Sequence, residues 1–262
     1  MKKFFTIATL LCIVFSHTAF SKDQPKSYYQ LKVYHLKTKS QEAQLEAYLK
    51  NAYVPALHRA GIKQVGVFKL LEGDTVDLRV YVFIPFQKFE QIENLTTTLQ
   101  KDTQYAEAGK DFLQAPFNNA GYVRIESILL RAFAGMPVPA VPKLTSPKNE
   151  RIYELRSYES ASEKLATSKI RQFTYGSTEG TEMSIFTRLN FNPVFYGEVL
   201  FGGKMPNLMY MTSFQNKADR DEHWKAFTAD SYWQKLSVIP EYLNTVSKNV
   251  QIFLYPTDYS DF

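Results

Sequence analysis

Two short stretches decide the fold: YQLKVYHLK at Tyr29–Lys37 and YELRSYES at Tyr153–Ser160. When they are aligned from their first residues, Lys32 matches Arg156, and tyrosines match at both ends of the shared core. Both stretches alternate along the chain and are rich in aromatic residues, which is typical of β-strands. Because the two are far apart in sequence, the match indicates an internal repeat.

The segments that follow each strand also correspond. In the first half, apolar residues recur at helical spacing from Leu45 to Ala52, and Gly61 marks the helix end. In the second half, a helix is predicted over residues 160–173, with an interruption at Gly176–Gly180 and a further helical stretch to Phe191. The predicted hairpins pair Lys63–Leu71 with Asp77–Ile84 and Val194–Phe201 with Asn207–Phe214, and the predicted last strands cover Tyr122–Leu130 and Val250–Tyr255.

The resulting order, β-α-β-β-α-β twice, predicts an α+β protein made of tandem ferredoxin-like repeats. We place the repeats at residues 28–131 and 150–256, joined by a proline-rich linker at residues 132–149. A four-stranded sheet of this kind covers only one face with its own helices. The two bare faces are therefore expected to bury each other in a two-sheet barrel, and they also allow pairing between chains as a homo-oligomer.

The N-terminus predicts export. Lys2 and Lys3 precede an apolar run from Phe4 to Phe15, and small residues flank Phe20. This pattern is that of a signal peptide, residues 1–21, cleaved after Ser21. The apolar run is too short for a membrane anchor, so no membrane span is expected after cleavage. The predicted location is the periplasm or another exported compartment.

Composition excludes several function classes. Cys12 is the only cysteine among 262 residues, so cleavage removes every thiol nucleophile, disulfide and thiolate metal ligand. The formal net charge is +5, of which the leader lysines contribute two. This balance gives no field strong enough to indicate nucleic-acid binding.

Three stretches of the second half resemble a known family. They are YELRSY from Tyr153, NPVFYGEVLFGGKMPNLMYMTSF at Asn192–Phe214 and ADRDEHWKAFTADSYWQKL at Ala218–Leu236. Together they are similar to the bacterial, exported branch of the NIPSNAP proteins. The resemblance is strong over Arg151–Leu236 and weaker over Tyr28–Arg131.

The resemblance implies a dimeric α/β-barrel fold. Its superfamily includes small monooxygenases, EthD-like proteins, chlorite dismutases and dye-decolorising peroxidases. NIPSNAP proteins themselves have no settled enzymatic activity, so the resemblance assigns no catalytic residue and leaves open whether the chain is an enzyme.

Alternation along the first strand of each half suggests a ligand site. The more apolar row, which contains His35, is expected to face the helices. The other row would then face the space between the sheets, where cations and phenols hold an anionic or carbonyl-bearing ligand. Its members are Lys32, Tyr34, Glu154, Arg156 and Tyr158. The alternative for Glu154 and Arg156 is a satisfied structural ion pair.

The second hairpin adds Tyr196, Glu198 and Tyr210 to the predicted ligand site. Together with Met209 and Met211, they form a lining suited to a flat or apolar molecule. The alternative for each is an ordinary core residue.

The histidines predict neither a metal nor a cofactor. After leader cleavage only His35, His58 and His223 remain, and no two of them have ligand spacing. His35 lies on the row assigned to the helices, so no haem ligand is expected inside the barrel.

The sequence therefore predicts a binding protein that holds a small, partly apolar ligand between the repeats. The alternatives are a cofactor-independent or haem-assisted monooxygenase-like enzyme and a purely structural or interaction protein. These three hypotheses differ in what they predict for the space between the sheets. A packed interior favours the structural role, an apolar cavity favours binding, and an inward histidine favours haem.

Overall fold

The computed structural model describes residues 25–71 and 77–262. The predicted signal peptide lies outside the described residues. The strands are β1 Tyr28–Leu36, β2 Gly66–Leu70, β3 Leu78–Phe86, β4 Arg124–Ala132, β5 Ile152–Glu159, β6 Pro193–Phe201, β7 Asn207–Phe214 and β8 Lys248–Pro256. The predicted strands are all present, with bounds that differ by a few residues.

The helices also follow the predicted order. They are α1 Lys39–Tyr48, a π-helical turn Leu49–Tyr53, α2 Val54–Arg59, α3 Phe89–Gln100, α4 Thr103–Ala108, α5 Lys110–Leu113, α6 Glu163–Thr174, α7 Glu182–Arg188, α8 Lys217–Ala229 and α9 Ser231–Leu236. Short 3-10 turns lie at Phe117–Asn119 and Pro240–Tyr242. The α+β class predicted from the sequence is confirmed.

Local chemistry explains where these helices begin. The side chain of Asp230 accepts hydrogen bonds from the backbone N–H groups of Tyr232 and Trp233, which caps α9. The Thr38 side chain caps α1 in the same way, by accepting a hydrogen bond from the Gln41 N–H. The π-helical turn ends at Tyr53, two residues before Pro55, which lacks the N–H that would close an α-helical turn.

The strands form one closed barrel in the order β1-β3-β2-β8-β5-β7-β6-β4. Each half contributes four neighbouring strands, and the halves join at two antiparallel seams. Lys69 pairs with Tyr255 at the β2–β8 seam, and Leu130 pairs with Val199 at the β4–β6 seam. The expected pair of facing sheets is therefore corrected to a single sheet, because each outer strand of one half finds its partner in the other.

The two alternating rows of side chains on β1 and β5 face the opposite way from the prediction. Tyr29, Leu31 and Val33 belong to the core inside the barrel, together with Tyr153 and Leu155. The alternate row faces the helices of its own half. The physical reason is that the inside of a closed barrel has few polar partners, so it takes the more apolar row. The helix layers supply partners for the charged row.

The connection between the halves packs against the barrel. Residues 133–151 contain neither helix nor strand, as their prolines predict. However, Leu144 is buried in the barrel core, and the Ala140 N–H donates to the Val194 carbonyl over 3.0 Å. The segment is thus extended but held in place rather than a loose tether.

Across residues 25–71 and 77–262, no helix is both long and apolar enough to cross a membrane.

Candidate functional site

A buried polar network centred on Glu154 occupies the helix layer of the second half. Glu154 is completely buried and accepts four hydrogen bonds. Arg156 donates from Nε to Oε1 at 2.7 Å, and Trp224 donates from its indole nitrogen to Oε2 at 2.7 Å. Arg220 donates to both carboxylate oxygens, each at 2.8 Å. The carboxylate is therefore fully partnered by groups of β5 and α8.

Arg156 extends the network to two tyrosines. Its Nη1 donates to the Tyr158 hydroxyl at 3.0 Å, and the hydroxyls of Tyr158 and Tyr210 lie 2.9 Å apart. The guanidinium lies 3.8 Å from the centre of the Trp224 ring, which fills the space above it. The structure thus brings four predicted residues together, but among the helices of the second half and not inside the barrel.

The charges of this network stabilise one another. Burial alone would raise the pKa of Glu154, but hydrogen bonds from Arg220 and the charges of Arg156 and Arg220 hold it below its ordinary value. Burial alone would lower the pKa of Arg156, yet the neighbouring tyrosines and Glu154 raise it. This arrangement fits the structural alternative for Glu154 and Arg156.

Tyr196 and Glu198 are the two remaining residues predicted from the second hairpin, and they lie in different parts of the structure. Tyr196 is buried in the helix layer and stacks on Tyr210 with ring centroids 5.7 Å apart. Glu198 lies at the β4–β6 seam, where its half-exposed carboxylate accepts from Arg131 Nη2 at 3.2 Å. Glu198 is therefore not part of the network.

A cavity of about 540 Å³ lies inside one end of the barrel. Its walls are mainly apolar and come from both halves of the chain. They include Leu31, Val33, Leu155, Val199, Met209 and Ile252. The other end is filled by stacked aromatic rings, with Phe83 and Phe195 at a centroid distance of 4.8 Å. The cavity therefore has an open mouth and a closed floor.

Charged side chains line the cavity mouth. His35 bonds to Asp77 Oδ1 through Nδ1 at 2.9 Å and to Glu126 Oε1 through Nε2 at 3.1 Å. Arg79 Nε donates to Asp77 Oδ2 at 2.7 Å. Burial would raise the pKa of Asp77, but the bonds from Arg79 and His35 keep it low. Lys204 completes this rim from the second half.

The rim was not predicted from the sequence, because the inward and outward faces of β1 were assigned the wrong way round. His35 lies on the same alternating row as Leu31 and Val33, so it faces inward with them. Assigning the most apolar row to the barrel interior would have placed His35 in the cavity.

The expectation that His35 faces away from the interior is wrong, so the fit of a haem must be tested. Iron ligation by histidine requires a ring nitrogen with a free lone pair. Both ring nitrogens of His35 lie within hydrogen-bond distance of carboxylate oxygens, so neither is free to bind iron. His58 and His223 do not line the cavity. The described residues do not fit a haem here.

Lys32 and Tyr34 face the helices of the first half. Lys32 Nζ donates to the Tyr53 hydroxyl at 3.4 Å and lies 5.3 Å from the centre of the Tyr34 ring. A second cavity of about 520 Å³ opens beside Lys32, outside the barrel.

Comparison with solved structures supports the fold. A protein named as a candidate monooxygenase from Lactobacillus acidophilus NCFM is 10% identical, with a TM-score of 0.54 over 88% of this chain and 94% of that one. An anthrone oxidase-like protein is 9% identical, with a TM-score of 0.51 over 88% of this chain and 92% of that one. At these identities the likeness concerns the fold alone.

Comparison with families concerns the second half. No curated protein matches the chain. The NIPSNAP family model matches residues 153–261, which contain β5 to β8 and the complete Glu154 network. Over residues 153–261, the chain therefore carries a domain of the NIPSNAP family.

Proposed function

We propose that this chain is a binding protein whose barrel interior holds a small, partly apolar ligand. The observation that carries the proposal is the cavity of about 540 Å³ with apolar walls and a charged mouth. Its volume lies in the range of about 300–1,000 Å³ that is usual for small-molecule sites. A purely structural barrel would be expected to fill this space with side chains.

The chemistry of the cavity orients the ligand. The apolar walls favour a hydrocarbon or aromatic body pointing toward the aromatic floor. Among the described residues, the mouth carries the cations of Arg79 and Lys204 and the carboxylates of Asp77 and Glu126. A ligand with a neutral hydrogen-bonding end or a single charge suits this balance better than a multiply charged one.

The same rim argues for binding over catalysis. His35 is not free to act as a general base, because both of its ring nitrogens already bond to Asp77 and Glu126. Among the described residues, no group of three or more His, Cys, Asp and Glu side chains is arranged to hold a metal ion. We assign no catalytic residue.

We further infer that the halves are two copies of one unit, residues 28–131 and 150–256. The matched strands Tyr29–Lys37 and Tyr153–Ser160 and the equivalent strand order in each half support this inference. The features of residues 1–21 support export. Because both sheet edges pair within the chain, the barrel closes without a second copy, and any homo-oligomer would use other surfaces.

Native mass spectrometry of the protein purified from its own cells tests the proposed function. We expect a small molecule to accompany the chain and to be released on unfolding. The matched variants are Met209→Trp, which fills the cavity, and Leu243→Trp, which adds the same ring at an exposed position. Only Met209→Trp should lose the molecule. If no molecule accompanies the protein and no compound of a metabolite library raises its melting temperature, the proposal fails.

A further inference from the structure

The second cavity, of about 520 Å³, lies between β1 and the helices that cover the first half. It is separate from the barrel interior and from the NIPSNAP-matched residues. Its lining includes Gln30 and Lys32 from β1, Tyr48 and Tyr53 from α1 and the π-helical turn, Leu95 from α3 and Tyr105 from α4. One cation and several aromatic rings therefore face the same space.

Lys32 has no counter-charge among the described residues. No carboxylate of the described chain lies within 4.0 Å of its ammonium group. The titratable groups that face it are the phenols of Tyr34, Tyr48, Tyr53 and Tyr105. Burial lowers the pKa of Lys32 to about 8, because the charged form loses solvation without gaining a partner. An anion would supply that partner.

The second half shows what partners this position can have. Arg156 occupies the place equivalent to Lys32 on β5 and likewise faces its own helices. There Glu154 supplies the carboxylate, and the guanidinium carbon of Arg156 lies 3.8 Å from the centre of the Trp224 ring. The chain itself therefore pairs this cation with a carboxylate and an aromatic ring.

In the described part of the first half, neither partner has a counterpart. Gln30 stands at the position equivalent to Glu154, so a neutral amide replaces the carboxylate. Gln30 Nε2 donates instead to the Ser127 hydroxyl at 2.8 Å. The helix α3 contains no tryptophan, and the cavity opens beside Lys32.

The π-helical turn gives this cavity an aromatic wall. Tyr48 and Tyr53 are five residues apart, which would set them about 140° apart around an α-helix. The wider π turn places them on one face, where their rings stack at a centroid distance of 5.6 Å and an angle of 16°. The Tyr105 hydroxyl lies 2.7 Å from the Tyr48 hydroxyl and fixes this wall from α4.

We infer that the first-half cavity binds a small aromatic carboxylate, with its carboxylate on Lys32 and its ring against the tyrosine wall. The ligand supplies the two groups that Glu154 and Trp224 supply in the second half. This inference rests on Lys32 and its surroundings and is independent of the ligand proposed for the barrel interior.

Isothermal titration calorimetry with paired probes tests the inference. The acids are benzoate, indole-3-acetate and 2-naphthoate, and each is compared with its neutral amide. We expect at least one acid to bind with a dissociation constant below about 1 mM and at least tenfold more tightly than its amide. Lysine-selective ¹⁵N NMR should show the pKa of Lys32 rising when that acid binds.

Four variants localise the binding. Lys32→Met should weaken it at least tenfold, while Lys32→Arg should keep it within about threefold. Gln30→Glu places a carboxylate where the second half has one and should abolish binding of the acid. Ser127→Ala removes the same hydrogen bond of Gln30 without adding charge and should bind normally.

Three outcomes would overturn the inference: no acid binds below about 1 mM, acids bind no better than amides, or Lys32→Met binds as the wild type does. Met209→Trp distinguishes binding in one cavity from binding in the other, because it blocks the barrel interior and leaves Lys32 untouched. Loss of acid binding in Met209→Trp with normal binding in Lys32→Met would assign the acid to the barrel and refute the inference.

Discussion

The indole of Trp224 donates its N–H to the carboxylate of Glu154 over 2.7 Å, although 70 residues separate them in sequence. This bond ties α8 to β5 and places the indole over Arg156. As a result, the charged groups of this network satisfy one another. The cavities lie elsewhere, inside the barrel and beside Lys32.

The first prediction concerns the Glu154 network. Glu154→Gln removes the charge that neutralises Arg156 and Arg220 in a buried site. Breaking one partner of a buried ion pair destabilises a protein by about 3–5 kcal/mol. We expect a loss of that size in the free energy of unfolding, measured by urea denaturation.

Glu198→Gln is the matched control for that prediction. It removes the same charge from a half-exposed pair with Arg131, which should change stability by less than about 1 kcal/mol. Equal effects of the two variants would contradict the central role given to Glu154.

The second prediction contrasts the two equivalent cations. Lys32→Met removes a buried charge that has no carboxylate partner in the described chain and should stabilise the protein by roughly 1–3 kcal/mol. Arg156→Met removes a cation that Glu154 needs and should destabilise it by roughly 2–4 kcal/mol. Thermal and urea unfolding of both variants measure the difference, and a shared sign would count against this account.

The third prediction is a pH dependence. The pKa of Lys32 falls from 10.5 to about 8 on folding. The penalty for burying its charge is fully present below pH 8 and disappears as the pH rises toward 10.5. The stability advantage of Lys32→Met over the wild type should therefore shrink across that window. An advantage that stays constant from pH 7 to 10.5 would show that the charge is not its cause.

The fourth prediction concerns the closed floor of the barrel. Phe262 is 2% exposed and packs its ring edge-on against Phe83 at a centroid distance of 5.8 Å. Phe262→Ala should lower the free energy of unfolding by about 3–5 kcal/mol, because it opens a void in the barrel core. Phe117→Ala, at a fully exposed position, should change it by less than about 0.5 kcal/mol.

Much of the fold follows from sequence pattern. Alternation in Tyr29–Lys37 and Tyr153–Ser160 identifies the first strand of each half, and Gly176–Gly180 interrupts the helix where predicted. Seam pairing such as that of Leu130 with Val199 could not be predicted, because it depends on contacts between distant segments. The seams that close the barrel are therefore visible only in three dimensions.

The candidate site was predicted less completely, for a definable reason. Alternation shows that Glu154 and Arg156 share a face, but it does not say which face meets the interior. That depends on whether the helices supply partners, and here Trp224 and Arg220 do. The same wrong assignment of faces placed His35 away from the barrel interior. Its partner Asp77 comes from the segment before β3.

Fluorescence of N-phenyl-1-naphthylamine, which increases when the dye enters an apolar site, tests whether the barrel interior holds an apolar ligand. We expect a saturable increase with the wild type that Leu243→Trp retains and Met209→Trp loses, while Lys32→Met has no effect. No saturable increase, or an increase that survives Met209→Trp, would contradict a ligand site inside the barrel.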